Sequence, residues 1–143
     1  MHLLVIAGAA IVIVLGVAHA LLTLKSSPAG GPLAPSDPNV RASMSIRGGL
    51  GMAPDLDIPL WQAWAGFNLS HALGVVLGGL VIMLPALADF DAALANDGWL
   101  AVALAVPPLY LAISIRYWFR RPTNGIALAT LLIGAGVIGG LLT

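Results

Sequence analysis

Four side chains capable of hydrogen bonding or ring contacts recur at helical spacing inside a long apolar run. Trp61, Trp64, Asn68 and His71 follow one another at three- or four-residue intervals. Residues so spaced share one face of a helix. Along a helix that starts at Leu60, Asn68 and His71 stand about 12 and 17 Å from the start. If the helix crosses a bilayer, polar side chains at this depth face the protein interior and require partners.

Other apolar runs supply candidate partners for Asn68 and His71. His19 and Thr23 lie one turn apart near the end of the first run, and Tyr110 and Ser114 share a face of a third. Polar groups in apolar surroundings are stable only when they are hydrogen-bonded, so we expect them to meet. The predicted ligand-binding residues are His19, Thr23, Arg41, Trp64, Asn68, His71, Tyr110 and Ser114.

Two interpretations of this polar set need no reaction. The hydrogen bonds can simply hold the helices together. Alternatively, the set can bind the polar head of a lipid, a quinone or another amphiphile, with the long first loop as a cover. In that case Arg41 and Arg47 of the loop are placed to contact a phosphate or carboxylate. We take amphiphile binding as the expected function.

Two further interpretations require a cofactor or a reaction. His19 and His71 at similar depth could ligate haem, but two histidines without Cys or a carboxylate are a sparse metal signature. A histidine could also act as a general base. No carboxylate lies inside an apolar run, so a proton-coupled transporter or a carboxylate-dependent hydrolase lacks its usual group. The sequence identifies no cofactor and leaves enzyme activity open.

Composition places these residues in a membrane protein. The chain has 143 residues, of which 59% are hydrophobic and 8% charged. A soluble domain has about 25% charged residues. A formal net charge of zero from six basic and six acidic residues argues against nucleic-acid binding. The absence of Cys excludes disulfides and thiolate metal sites.

Four apolar segments reach the length of about 20 residues that a spanning helix needs. They cover residues 3–24, 60–84, 99–119 and 125–142. The predicted fold is therefore all-α: an integral membrane four-helix bundle, with residues 1–143 as a single transmembrane domain. The first segment lacks a preceding Lys or Arg and is interpreted as a spanning helix rather than a signal peptide.

The first loop, residues 25–59, is predicted to be partly helical and to form a lid. Its sequence Ser36-Asp37-Pro38 combines a capping residue with a proline, which indicates the start of a helix. The mixture of apolar and basic residues from Asn39 to Leu50 favours a short helix in the membrane interface.

Charge distribution predicts the orientation. All six basic residues are in or beside the first and third loops: Lys25, Arg41, Arg47, Arg116, Arg120 and Arg121. The second loop has Asp89, Asp91 and Asp97 instead. Because loops rich in Lys and Arg stay cytoplasmic, loops 25–59 and 120–124 are predicted to be cytoplasmic and both termini outside.

A ridge of small residues recurs every four positions in the second spanning segment. This small-residue ridge consists of Gly66, Ser70, Gly74 and Gly78. Such ridges allow another helix to approach closely in lipid. We interpret it as packing within the bundle. The alternative is a seam between copies of the chain, or a structural or accessory subunit that docks on a larger membrane complex.

The run Trp61-Gln62-Ala63-Trp64-Ala65-Gly66-Phe67-Asn68-Leu69-Ser70-His71-Ala72-Leu73-Gly74 resembles the motif W-x-x-W-x-G-F-N-x-S-H-x-x-G of a family of small bacterial membrane proteins. The loop sequence Val40-Arg41-Ala42-Ser43-Met44 is also similar. The resemblance covers the first half of the chain. It implies about four spans, a long first loop, a histidine late in the first helix (His19 here) and the bacterial inner membrane. It emphasises Trp64, Asn68, His71, His19 and Arg41 without naming a reaction.

Overall fold

A computed structural model of the chain describes residues 1–48 and 57–143. Those residues form an all-α structure without a β-strand, and their helices are α1 (His2–Leu24), α2 (Pro38–Met44), α3 (Leu60–Ala88), α4 (Phe90–Leu94), α5 (Asp97–Tyr117) and α6 (Arg120–Leu141). Helices α1, α3, α5 and α6 are long and apolar enough to cross a membrane. The chain therefore has the architecture of an integral membrane protein, and the predicted all-α class is confirmed.

The boundaries of the long helices differ from the prediction by a few residues. Helix α3 continues through Pro85 to Ala88, beyond the predicted end at residue 84. Helix α5 begins early because Asn96 caps it, its Oδ1 accepting from the N–H of Trp99 at 2.9 Å. Helix α6 begins at Arg120 rather than at residue 125. Pro122 lies in its first turn, where a missing N–H costs no helical hydrogen bond.

The two short helices begin at aspartates. Asp37 caps α2, since its Oδ1 accepts from the N–H of Asn39 at 2.8 Å and Pro38 is the first helical residue. The predicted helix start is thus confirmed, although the helix ends at Met44 and residues 49 and 50 of the predicted stretch lie outside the described residues. Asp89 caps α4 in the same way, at 3.0 Å from the N–H of Ala92. Helix α4 was not predicted.

The chain divides into two compact units. The core unit comprises Met1–Leu15 and Val75–Thr143, and the site unit comprises Gly16–Gly74. Segments of all four long helices share one core in the core unit: Val5, Ala9, Ile82, Ala86, Trp99, Ala103, Ile133 and Val137. These side chains are almost fully buried. The predicted four-helix bundle is therefore present in this unit.

Glycines set the spacing between backbones in the core unit. A Cβ built on Gly8 would lie 2.7 Å from Ile133 Cγ1 and 2.8 Å from the carbonyl oxygen of Ala129. One built on Gly79 would lie 2.6 Å from Ile13 Cγ1. These separations are too short for a side chain. Helix α1 thus packs against α6 and α3 by direct backbone approach, which is the favoured way to associate helices in lipid.

The small-residue ridge does not take part in this packing. A Cβ on Gly66, Gly74 or Gly78 would meet no atom of the described chain within 4 Å, and Ser70 is exposed. The buried line of α3 is instead Ala72, Val75, Gly79, Ile82 and Ala86, which follows helical spacing on another face. Our interpretation of the ridge as packing within the bundle was wrong. Four-residue spacing identifies a face suited to close approach, but it does not say what approaches.

Replacing Gly136 with alanine should destabilise the protein, whereas the same change two residues earlier should not. A Cβ at Gly136 would lie 2.6 Å from Val5 Cγ2 and 3.0 Å from the backbone oxygen of Met1. A Cβ at Gly134 would meet nothing within 4 Å in the described chain. Overpacking of a core typically lowers the free energy of unfolding by about 1–3 kcal/mol. Reversible unfolding in detergent measures the difference, and equal stability of the two variants would contradict the packing described.

Candidate functional site

A hydrogen bond between α1 and α3 lies at the centre of the site unit. His19 Nε2 and Asn68 Oδ1 are 3.0 Å apart. Because the amide oxygen can only accept, Nε2 carries the proton in this arrangement. Both side chains are half-buried within helices that are long enough to span a membrane. The expected partnership between the first and second spanning helices is therefore present.

The Asn68 amide is oriented at both ends. Its Nδ2 donates to the carbonyl oxygen of Trp64, one turn earlier in α3, at 2.8 Å. Its Oδ1 faces His19. A side chain held by two hydrogen bonds has little rotational freedom, so the remaining amide proton of Asn68 points in a defined direction.

His71 completes the polar cluster, the name used below for His19, Asn68 and His71. The rings of His19 and His71 stand edge to face, with centroids 5.5 Å apart and planes at 84°. His71 follows Asn68 by three residues, so the two share a face of α3. The polar cluster thus brings together the three strongest candidates from the sequence.

The Thr23 side chain forms a hydrogen bond within its own helix, α1. It is buried, and its hydroxyl donates to the carbonyl oxygen of His19 at 2.8 Å. A threonine that bonds to the carbonyl four residues earlier satisfies its own donor locally. Its predicted place among the ligand-binding residues stays a prediction, and the observed contact is to the backbone of His19.

Two tryptophans precede the polar cluster on α3. The rings of Trp61 and Trp64 lie 4.9 Å apart at 34° and are half-buried. Their position at the start of a spanning helix fits the interfacial aromatic belt. Trp64 is also joined to Asn68 through its carbonyl, so an apolar aromatic surface and the polar cluster occur within two turns of the same helix.

The loop arginines contact their own loop. Arg41 Nη1 donates to the carbonyl oxygens of Pro35 and Ser36, at 2.6 and 2.9 Å. Arg47 Nη1 lies 2.9 Å from Asp57 Oδ2 in an exposed ion pair and also donates to the Asp57 carbonyl. Such pairs contribute about 0–1 kcal/mol, so this one fixes geometry more than stability. Contact between Arg41 and a ligand stays a prediction.

Tyr110 and Ser114 belong to the core unit, so the predicted eight residues are divided between the two units. Ser114 is fully buried, and its hydroxyl donates to the carbonyl oxygen of Leu111 at 2.9 Å. Its own carbonyl accepts from Thr123 Oγ1 at 3.2 Å. Ser114 therefore ties the end of α5 to the start of α6, and its role in ligand binding stays a prediction, as does that of Tyr110.

Metal ligation has little support from the observed geometry. Within residues 1–48 and 57–143, no three His, Cys, Asp or Glu side chains group closely enough to hold a metal ion. Haem ligation through His19 Nε2 would require loss of its bond to Asn68. The haem interpretation thus competes with the contact that organises the site unit.

Sequence reasoning missed an open cavity in the core unit, about 260 Å³ in volume. It is lined by Pro85, Ala88, Asp89, Ala92, Ala93, Asn96 and Trp99. Asp89 and Asn96 are the caps of α4 and α5, and the indole N–H of Trp99 donates to the Ile82 carbonyl at 3.2 Å. Asp89 and Asn96 are residue types that favour helix N-caps, and their spacing could have predicted the short helix α4 between them.

Comparison of the chain with protein-family models, with curated proteins and with solved structures finds no match. The proposals below are therefore based on the residues and their geometry.

The His19–Asn68 bond should be measurable as an energetic coupling. We expect His19→Leu and Asn68→Leu to destabilise the protein non-additively, with a coupling of about 0.6 kcal/mol, the average for hydrogen bonds between membrane helices. Unfolding of the two single variants and the double variant in lipid–detergent micelles gives this value. The matched control pairs His19→Leu with Ser70→Ala, because Ser70 is exposed and its hydroxyl donates to the carbonyl oxygen of Phe67 in its own helix. A coupling for His19–Asn68 no larger than the control would contradict the geometry.

Proposed function

We propose that this protein binds an amphiphilic small molecule, lipid or quinone-like, whose polar head contacts the polar cluster. The observation that carries the proposal is the half-buried triad of His19, Asn68 and His71 inside spanning helices. Purely structural polar groups in hydrocarbon are expected to be enclosed by protein. A cluster that remains partly accessible at this depth suits a second, external polar group.

The polar cluster retains hydrogen-bonding capacity in its described contacts. Asn68 Nδ2 has two protons and uses one on the Trp64 carbonyl. With Nε2 of His19 protonated, its Nδ1 is an acceptor when the ring is neutral. One donor and one acceptor, both on side chains already held in place, can orient the head of a ligand without first being ordered.

The surroundings of the cluster match the remainder of an amphiphile. Trp61 and Trp64 offer aromatic surface on the same helix. Large apolar side chains such as Phe67 and Leu73 are exposed along α3, where an acyl or isoprenoid tail can lie among lipids. Ligand sites are mostly apolar with a few placed polar groups, and this combination agrees with that composition.

The same proposal includes the location of the protein. We place it in a bacterial inner membrane with both termini outside, supported by the family resemblance of residues 61–74 and by the six-to-zero distribution of Lys and Arg among the loops. In this orientation the polar cluster lies in the cytoplasmic leaflet, near the end of α1 that Lys25 follows.

Native mass spectrometry of protein released gently from its own membrane tests the proposal. We expect one amphiphile bound per chain, lost in His71→Leu and in Asn68→Leu because the head loses its polar contacts. The adduct should persist in Ser70→Ala, a neighbouring change on an exposed site of the same helix.

A chain that carries no adduct, or an adduct equally retained in His71→Leu, would remove the binding proposal. The mass of a retained molecule also distinguishes haem from quinone and from phospholipid. Circular dichroism of each variant verifies that the helices remain formed.

The second candidate function is docking on another membrane protein, as a structural or accessory subunit. The observation that favours it is the open space at Gly66, Gly74 and Gly78 of the small-residue ridge. Small residues that contact no other part of the described chain can accept a helix from another protein. The polar cluster and the small-residue ridge lie on different faces of α3, so substitutions at Asn68 and at Gly74 test the two candidates separately.

Cysteine cross-linking tests the docking candidate in native membranes, because the chain has no cysteine of its own. Gly74→Cys should cross-link to a second copy or to a larger partner through a short bismaleimide. Leu131→Cys on α6, an exposed apolar position, serves as the control. Equal, low cross-linking of both variants would argue against a helix partner at the ridge.

A further inference from the structure

Apart from His19 and His71, the spanning parts of the site unit contain no ionisable residue. Residues 16–24 of α1 and 60–74 of α3 include no Lys, Arg, Asp or Glu. An ionised group in apolar surroundings is strongly unfavourable unless an opposite charge pairs with it. A head that inserts beside Asn68 therefore meets no permanently charged side chain in these segments, which favours an uncharged head.

The two loop arginines already contact groups of their own loop. Arg41 Nη1 is held by the carbonyl oxygens of Pro35 and Ser36, at 2.6 and 2.9 Å. Arg47 Nη1 forms an exposed ion pair with Asp57 at 2.9 Å. Recognition of a phosphate by arginine relies on its forked N–H groups being directed at the anion, and in both arginines Nη1 is directed at the loop instead.

The polar cluster offers an amide donor beside an imidazole ring. The second amide proton of Asn68 suits a carbonyl oxygen, and the imidazole of His19 suits a hydroxyl group. The Trp61–Trp64 pair provides aromatic surface within two turns of Asn68 on α3, and stacking on such surfaces favours planar rings. A planar, conjugated carbonyl head satisfies all three features at once.

We infer that the ligand head is an uncharged ring bearing carbonyl or hydroxyl oxygens, as in quinones and quinols, rather than a phosphate. This inference rests on the proposed function and narrows it to one class of ligand. Asn68 donates to the ring carbonyl, and the tail of the ligand follows the exposed apolar surface of α3. No electron transfer is required, since binding alone accounts for the arrangement.

The test uses delipidated full-length protein in dodecyl maltoside and two probes, decylubiquinone and dodecyl phosphate. Bound quinone quenches indole fluorescence, and the four Trp residues of the chain report it. We expect saturable quenching at one decylubiquinone per chain, not displaced by dodecyl phosphate. Affinity should fall about tenfold in Asn68→Leu, as for loss of a neutral hydrogen bond in apolar surroundings, and stay unchanged in Ser70→Ala.

The competition between the two probes in the wild-type protein needs no variant, so it stands even if Asn68→Leu fails to fold. Displacement of the quinone by dodecyl phosphate, or tighter binding of the phosphate, overturns the inference and leaves amphiphile binding intact. Quenching that never saturates also overturns it. Native mass spectrometry then tests amphiphile binding separately. An adduct that is lost in His71→Leu supports amphiphile binding, whereas the absence of any adduct contradicts both amphiphile binding and the quinone-like head.

Discussion

In the hydrocarbon of a bilayer, a polar side chain has no water to bond with, and this constraint governs the arrangement of the site unit. His19 and Asn68 are on different helices, separated by 49 positions in sequence, yet they are joined at 3.0 Å. The carbonyl oxygen of Trp64 holds the Asn68 side chain, and the Thr23 hydroxyl bonds to the backbone of His19. Placing these groups within spanning helices thus restricts how α1 and α3 meet in this unit.

The two units use different physical means to associate the same helices. In the core unit, Gly8 and Gly79 bring α1 to within backbone contact of α6 and α3, so that dispersion between closely fitted surfaces stabilises the bundle. In the site unit, a hydrogen bond joins α1 to α3. The side chains of the polar cluster stay half-buried, whereas those that form the shared core of the core unit are almost fully buried.

Much of the fold could be predicted because each long helix is identified by apolar length alone. The cap at Asp37 was likewise readable from the proline that follows it. The pairing of His19 with Asn68 followed from depth and from the scarcity of polar partners. The sequence could not show which glycines of α3 pack against another helix. Gly78 and Gly79 are adjacent, and only the structure shows that Gly79 contacts α1. Nor could sequence show that Ser114 is enclosed, since its hydroxyl bonds within its own helix.

The central claim is that a single kind of amphiphile occupies the polar cluster, and site-directed photo-cross-linking in the native membrane tests it most directly. A benzophenone amino acid replaces Trp64, beside the cluster, or Leu131, which is 69% exposed on α6. We expect one dominant small-molecule adduct at position 64 and a mixture of bulk lipids at position 131. The same mixture at both positions would contradict the existence of a specific site.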